Sequence, residues 1–196
     1  MAIKPILFNT EMVLAILDGR KTCTRRIIKA EKVDNVLNSP ARKSNPDIPD
    51  AQFIKCLLDM KYEPGDILYV RETWSEWTDG YVYKAWNSPF PQAGKSSVMK
   101  WHPSIHMPKE AARIWLRVTD VRVERLQDIT IDEIRKEGLE SRFDVKDKFS
   151  DGIARGRFLE LWDSTIKKPD IDRYGWDANP WVWVVEFERC EKPENL

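Results

Sequence analysis

The sequence predicts an α+β protein, a small mixed β-barrel with helices packed on its outside. Three observations support this fold class. Extended segments outnumber helical ones, and turn residues separate several of them at hairpin spacing. Hydrophobic residues make up 42% of the chain and charged residues 33%, which is typical of a globular protein. The 196 residues suffice for one core, so we expect a single domain over residues 1–196.

The strand signals are strongest in the middle and at the end of the chain. A turn at 64–66 precedes "ILYVRETW", whose alternation places Glu72 and Trp74 on the inward face. The segment "YVYKAW" follows a second turn at 79–80 and predicts a hairpin. The long strand "RIWLRVTDVRVERL" shifts its phase near 119–120, which predicts a bulge. The alternating segment "NPWVWVVEFERC" supplies the last strand.

Three helices have recognisable ends. The first covers 10–18 and stops at Gly19, after which "KTCTRRII" is expected to be extended. The second, "ITIDEIRKEGL", opens with a capping box formed by Thr130 and Glu133. The third covers 151–166, where apolar residues recur at helical spacing.

The segment 31–50 has no clear period. It contains "SPARKSNPDIPD", with three prolines among polar residues. This composition predicts a flexible loop or insertion at 31–50. The following "AQFIKCLLDM" is expected to be a short helix.

Composition excludes several classes of protein. No apolar run approaches the roughly 20 residues that a bilayer crossing needs, so no membrane association is expected. The first residues, "MAIKPILFNTE", lack the features of a secretory signal. The three cysteines are too widely spaced for a disulfide framework or a CxxC pair, which favours a reducing cytoplasm. The two histidines flank a proline and have no third ligand nearby, so no metal site is expected.

One basic stretch stands out in a chain whose formal charge is zero. It is "ILDGRKTCTRR", residues 16–26, which combines a helix end with a cluster of cations. The first two cations could simply complement the negative end of the preceding helix, whereas the last two lie beyond the range of that dipole. The cations are Arg20, Lys21, Arg25 and Arg26.

This stretch, with three others, resembles the ASCH domain family of the PUA-like β-barrel superfamily. The others are "PGDILYVRETW", "ITIDEIRKEGL" and "NPWVWVVEF". The combination is similar to the longer ASCH-like proteins of tailed phages and prophages, and it spans most of the chain outside 31–50. The resemblance implies a PUA-like barrel.

The resemblance also implies an activity. Some ASCH proteins are amidohydrolases that remove the acetyl group from N4-acetylcytidine, whereas others are proposed to bind RNA or DNA, or to act as ribonucleases. In the amidohydrolases the catalytic set is a lysine and a threonine after the first helix and a glutamate from a later helix. By motif these fall on Lys21, Thr24 and Glu137, with Glu140 as an alternative carboxylate. No metal or cofactor is implied.

The chemistry places conditions on these residues. A threonine hydroxyl needs a neighbour that accepts its proton, and Lys21 could do so only when neutral. Burial or the neighbouring arginines would have to lower the pKa of Lys21. Positions 21 and 24 point to opposite faces of a regular strand, so Lys21 and Thr24 meet only if the chain turns just after Gly19.

A second group of residues is predicted to hold the nucleobase. Glu72 could accept a hydrogen bond from an amino group such as N4 of cytosine, or it could pair with an arginine of the motif. Trp74 and Trp101 could stack on either side of the base. Ser104 and His106, in a loop bounded by prolines, could line the same pocket.

Two functional classes therefore remain. The first is a metal-independent amidohydrolase acting on N4-acetylcytidine or a similar N4-acylated cytosine. The alternative is a non-catalytic RNA or single-stranded DNA binding module of phage origin, in which Arg20, Arg25, Arg26 and Arg71 contact phosphates. The expected partner is a modified nucleoside or a short single strand in the host cytoplasm. A host protein partner is a third possibility.

Overall fold

A computed structural model of the chain describes residues 1–78, 80–85, 100–139 and 148–194, the side chains of the last range from residue 151. Seven strands and seven α-helices alternate irregularly along these ranges. The strands are β1 (Ile3–Leu7), β2 (Cys23–Ile27), β3 (Ile67–Arg71), β4 (Trp74–Trp77), β5 (Gly80–Tyr83), β6 (Trp115–Arg125) and β7 (Trp181–Cys190). The helices are α1 (Thr10–Leu17), α2 (Ala30–Leu37), α3 (Pro40–Ser44), α4 (Asp50–Leu57), α5 (Ile131–Lys136), α6 (Lys148–Thr165) and α7 (Ile171–Tyr174).

Five strands form one mixed sheet in the order β1-β3-β6-β7-β2. The β1–β3 pair is parallel, and the other pairs in this sheet are antiparallel. The prediction of a mixed α+β fold is confirmed. The pairing among the described strands leaves β1 and β2 as open edges, so it does not close the predicted barrel.

Several local predictions are confirmed. Strands β4 and β5 pair as the predicted hairpin, and the register of β6 on β7 shifts between Val118 and Asp120, where the bulge was expected. The capping box at the start of α5 is formed by Thr130 and Glu133. Gly19 ends α1 with φ of +74°, a conformation that glycine adopts without steric cost.

The prediction of a loop at 31–50 is wrong. Helices α2 and α3 and the start of α4 occupy this segment. They are stabilised by packing, because Val33 and Val36 of α2 share a small core with Phe53 and Ile54 of α4 and with Val123 of β6. Pro40 is the first residue of α3 and Pro49 directly precedes α4, positions at which the missing N–H is tolerated.

The sheet is buried on both faces. On one face of β7, Val185 and Phe187 pack under α1 in the largest core cluster. On the other face, Val182 and Val184 pack under α5 and α6. Strand β2 pairs with β7 at one edge of this sheet. None of the helices in the described ranges combines the length and the apolar character that crossing a membrane requires.

Candidate functional site

The chain turns sharply between α1 and β2. The amides of Arg20 and Lys21 both donate to the Ala15 carbonyl, at 2.8 and 3.0 Å, so the backbone folds back over the end of α1. Lys21 then forms an isolated antiparallel bridge with Glu137, which directly follows α5. The turn places Lys21 before β2 begins, but among the described residues no hydrogen bond joins its Nζ to the Thr24 hydroxyl.

Lys21 and Glu137 form a buried ion pair. The Lys21 Nζ lies 2.6 Å from Glu137 Oε2 and also donates to the Glu137 carbonyl at 3.0 Å. Their side chains are 1% and 7% exposed. The ammonium also lies 5.5 Å from the centroid of the Phe8 ring. Because water is largely excluded, this pair is electrostatically strong and held in one geometry.

Arg25 fixes the other oxygen of Glu137. Its Nη1 lies 3.2 Å from Glu137 Oε1, and its Nη2 lies 3.1 Å from Glu133 and 3.2 Å from Glu124. The Arg25 side chain is 1% exposed, so three carboxylates surround a buried guanidinium. Arg122 extends this network to Glu124, Glu133 and Glu186.

Thr24 lies on the same cavity as the ion pair. The cavity has a volume of about 140 Å³, and among the described residues the Thr24 hydroxyl has no hydrogen-bond partner. Apolar side chains of α6 form part of the wall of this cavity. The lining residues are Leu7, Phe8, Asn9, Met12, Lys21, Thr24, Arg25, Arg26, Glu137, Phe158, Leu161, Trp162 and Thr165.

Arg26 spans the gap between the two open edges of the sheet. Its Nη2 donates to the Leu7 carbonyl at 2.9 Å, which joins β2 to the end of β1. The guanidinium carbon lies 5.3 Å from the centroid of the Phe8 ring, and burial lowers the pKa of Arg26. A second cavity, of about 480 Å³, lies beside the first, and Leu7 and Arg26 line both.

Glu72 lies elsewhere. It is buried and accepts two hydrogen bonds of 2.9 Å from Arg113, so its partner is not an arginine of the motif. Burial raises the pKa of Glu72, although the hydrogen bonds and charge of Arg113 act in the opposite direction. The Arg113 guanidinium also lies 4.2 Å from the Tyr83 ring centroid, which anchors the hairpin to this ion pair.

The aromatic residues predicted to hold the base are also away from the cavity. The Trp74 ring is buried, with its centroid 5.0 Å from His102 and 5.5 Å from Tyr81. The structure does not bring Trp74, Trp101, Ser104 or His106 to the cavity of Lys21 and Thr24. Ser104 and His106 lie in a short 3₁₀-helix before β6.

The remaining predicted cations contact protein acceptors. Arg20 donates to the Gly138 carbonyl at 2.7 Å and to Asp18 at 2.9 Å. Arg71 donates to the Ile105 carbonyl. The alternative carboxylate, Glu140, lies outside the described residues.

Sequence reasoning missed two walls of the cavity. Phe8 and Met12 come from the junction of β1 and α1, and β1 had not been predicted. The apolar run "PILF" before the cap residue Asn9 was the available signal. The wall from α6 had no signal, because an apolar helix face predicts burial and not the cavity it borders.

No family model matches the chain, and no curated protein matches it. Among solved structures, the chain is similar to an ASCH domain from Lactobacillus crispatus, with 11% identity and a TM-score of 0.40 over 96% of this chain and 79% of that one. It is also similar to protein EF3133 from Enterococcus faecalis, assigned to the family model DUF984, with 10% identity and a TM-score of 0.40 over 97% and 76% of the two chains. Both likenesses are too distant to carry a function over.

Proposed function

We propose that the protein is a metal-independent amidohydrolase that removes the acyl group from N4-acetylcytidine or a similar N4-acylated cytosine. One observation carries the proposal: the Thr24 hydroxyl, which has no hydrogen-bond partner in the described part of the chain, lines the same cavity as the buried Lys21–Glu137 ion pair. The three residues match the lysine, threonine and glutamate that the resemblance to ASCH amidohydrolases implies. Amide hydrolysis needs such a set, namely a nucleophile and a neighbouring group that moves its proton.

The ion pair supplies the proton acceptor. A proton passes from the Lys21 ammonium to Glu137 Oε2 across their 2.6 Å contact, which leaves a neutral amine. Lys21 and Thr24 are not hydrogen-bonded to each other in the described residues, so we propose that they come together when the substrate binds. The amine then accepts the proton of the Thr24 hydroxyl as Oγ1 bonds to the acyl carbonyl carbon. Arg25 holds the other carboxylate oxygen of Glu137 and so keeps it oriented towards Lys21.

The reaction then proceeds through a tetrahedral intermediate. Its oxyanion lies near Arg26, which uses one N–H on the Leu7 carbonyl and has further donors on the cavity side. The bond from carbon to N4 breaks as Lys21 returns a proton to the leaving nitrogen. Water then attacks the threonine ester and gives a proton to the neutral Lys21 amine. Lys21 passes that proton to Thr24 Oγ1 as the carboxylic acid leaves, and Glu137 returns its own proton to Lys21, which restores the hydroxyl and the ion pair. The substrates and products balance as amide plus water giving acid plus amine.

The wall formed by α6 suits the acyl group. Leu161 is half-buried on α6 and lines the cavity together with the buried rings of Phe158 and Trp162. An acetyl methyl group placed against this wall loses contact with water, which favours binding. The cavity is small, so a short acyl chain fits better than a long one.

The alternative function, a non-catalytic RNA or single-stranded DNA binding module, is less well supported. It assigned phosphate contacts to four arginines, and all four are engaged with protein acceptors. Arg25 is enclosed by carboxylates, and Arg20, Arg26 and Arg71 donate to backbone carbonyls. A buried guanidinium that neutralises three acids has little capacity left for a phosphate.

The test is a comparison of two substitutions in one segment. Thr24→Val keeps the branched shape and removes a hydroxyl that has no partner among the described residues, so the fold is expected to persist. Thr22→Val, at an exposed position two residues earlier, is the control. Acetate release from N4-acetylcytidine should fall by more than about 10³-fold in the first variant and be retained in the second.

Circular dichroism and melting temperature should be the same in both variants. Absence of acetate release by the wild-type protein would overturn the proposal. Full activity of Thr24→Val would overturn the role assigned to the hydroxyl.

A further inference from the structure

The larger cavity, beside the proposed catalytic one, is unusually basic. It lies between the end of β2, α2 and the segment after α4, and it has a volume of about 480 Å³. Four cationic side chains and one carboxylate line it, although the whole chain has a formal charge of zero. These residues are Arg26, Lys29, Lys32, Lys61 and Asp59.

Within the described ranges, no acidic side chain forms a salt bridge with the lysines of this cavity, Lys29, Lys32 and Lys61. Glu31, which lies between Lys29 and Lys32 in sequence, pairs instead with Arg173 at 2.9 Å. Asp59, two residues before Lys61, is the one carboxylate among the described lining residues. The positive potential of the cavity is therefore available to an anion from solvent, where a low-dielectric wall strengthens it.

Arg26 connects this cavity to the proposed catalytic one. The smaller cavity, at about 140 Å³, lies below the roughly 300–1,000 Å³ of typical small-molecule sites, whereas the larger one lies within that range. A ligand whose acylated base enters the smaller cavity must leave its sugar outside it. The larger cavity is the adjoining space, and Trp183 offers an aromatic surface there.

We infer that the larger cavity binds the phosphate of the substrate, so that the enzyme acts on an N4-acylated cytidine nucleotide and not on the free nucleoside. This inference rests on the proposed function and names its substrate class. The phosphate contacts Lys29, Lys32 and Lys61, and the guanidinium of Arg26 lies between the phosphate and the base. Charge-assisted hydrogen bonds of this kind are among the stronger polar contacts that a protein makes. The phosphate belongs either to a mononucleotide or to an RNA strand.

Calorimetric binding of two unreactive probes tests the inference without turnover. The wild-type protein should bind cytidine 5′-monophosphate at least about tenfold more tightly than cytidine. The triple variant Lys29→Gln, Lys32→Gln, Lys61→Gln should lose that preference and bind both probes alike. The matched control Lys167→Gln, Lys168→Gln, Lys192→Gln removes the same charge from exposed positions that line neither cavity, and it should keep the preference.

Equal affinity of the wild-type protein for cytidine and its monophosphate would overturn the inference, as would an unchanged preference in the cavity variant. Failure to release acetate would overturn the proposed function alone, because these probes need no hydrolysis. A five-nucleotide RNA with one central cytidine separates the two phosphate sources. Tighter binding than the monophosphate, with a steeper loss of affinity in salt, identifies a strand, and equal binding identifies a mononucleotide.

Discussion

Lys21 and Glu137 are joined twice, by an antiparallel backbone bridge and by an ion pair of 2.6 Å between their side chains. They are 116 residues apart in the chain. Arg25 is bound to the same carboxylate, so Glu137 contacts two buried cations, while Lys21 has one carboxylate partner among the residues that the structure describes. The two ends of this ion pair are therefore not equivalent.

Removing Glu137 should cost more stability than removing Lys21. Glu137→Gln leaves the Lys21 ammonium buried without a counterion, and we expect a loss of about 3–5 kcal/mol in the free energy of unfolding. Lys21→Met leaves Glu137 paired with Arg25 and should cost at least about 2 kcal/mol less. Urea unfolding of both variants measures the difference. Equal losses in the free energy of unfolding of the two variants would show that Arg25 does not hold the Glu137 carboxylate.

Gly138 is expected to tolerate no side chain. Its φ is +90°, and a Cβ there would lie 2.7 Å from the Cβ of Ala15 and 2.9 Å from that of Lys21. Overpacking and left-handed strain together predict that Gly138→Ala costs about 2–4 kcal/mol. Gly156→Ala in α6 is the control, because a Cβ there meets nothing within 4 Å. That change should stabilise the helix by about 0.5–1 kcal/mol in thermal unfolding.

Ionisation of the Asp66 carboxyl group should make the stability of the protein depend on pH in the acid range. Burial acts to raise the pKa of its carboxyl group, but hydrogen bonds from the side chain of Lys4 and the amides of Ala2 and Glu63 outweigh this effect and lower the pKa. A lowered pKa in the folded state stabilises the protein above about pH 3.8, and this contribution is lost as the pH falls through the folded value.

The comparison of wild type with Asp66→Asn measures that contribution. At neutral pH the variant should be less stable by about 1–3 kcal/mol, since β1 loses its anchor to the turn before β3. The difference should shrink on acidification below about pH 3.8. A difference that is constant with pH would contradict the assignment of the effect to ionised Asp66.

The reactivity of the Cys23 thiol should show whether the protein is folded or unfolded. It has no exposed surface, and burial, with the nearby Glu137 charge, raises the pKa of its thiol to about 12. Cys56 is exposed on α4. Iodoacetamide at neutral pH should therefore modify Cys56 quickly and leave Cys23 intact until urea is added, as read by peptide mass spectrometry. Reaction of both thiols at one rate in the native protein would contradict this burial.

Local signals predicted much of the fold. The capping box of α5 and the bulge of β6 depend on neighbouring residues, so the sequence reveals them directly. Strand β1 was missed because it is five residues long, contains Pro5 and pairs in parallel with β3, which is distant in sequence. Helix α2 was missed because it depends on burial of Val33 and Val36 against α4, a tertiary effect that a short polar sequence does not show.

The site was predictable in part for the same reason. Lys21 and Thr24 lie within one motif, and the turn at Gly19 places both on one cavity. The partner of Glu72 was not predictable, because Arg113 is 41 residues away and meets it only through the pairing of β3 with β6. The alternation of residues along the strand predicts that the Glu72 carboxylate is buried. It does not identify the cation that pairs with this carboxylate.

The backbone bridge between Lys21 and Glu137 limits which parts of the cavity can change in evolution. Main-chain hydrogen bonds, including that from Thr22 N to Lys136 O at 2.8 Å, hold the backbones of these two residues together. The wall formed by Phe158 and Leu161, in contrast, consists of side chains on a separate helix. Under the proposed function, α6 could therefore change to accept new acyl groups while the backbone keeps the ion pair of Lys21 and Glu137 in register.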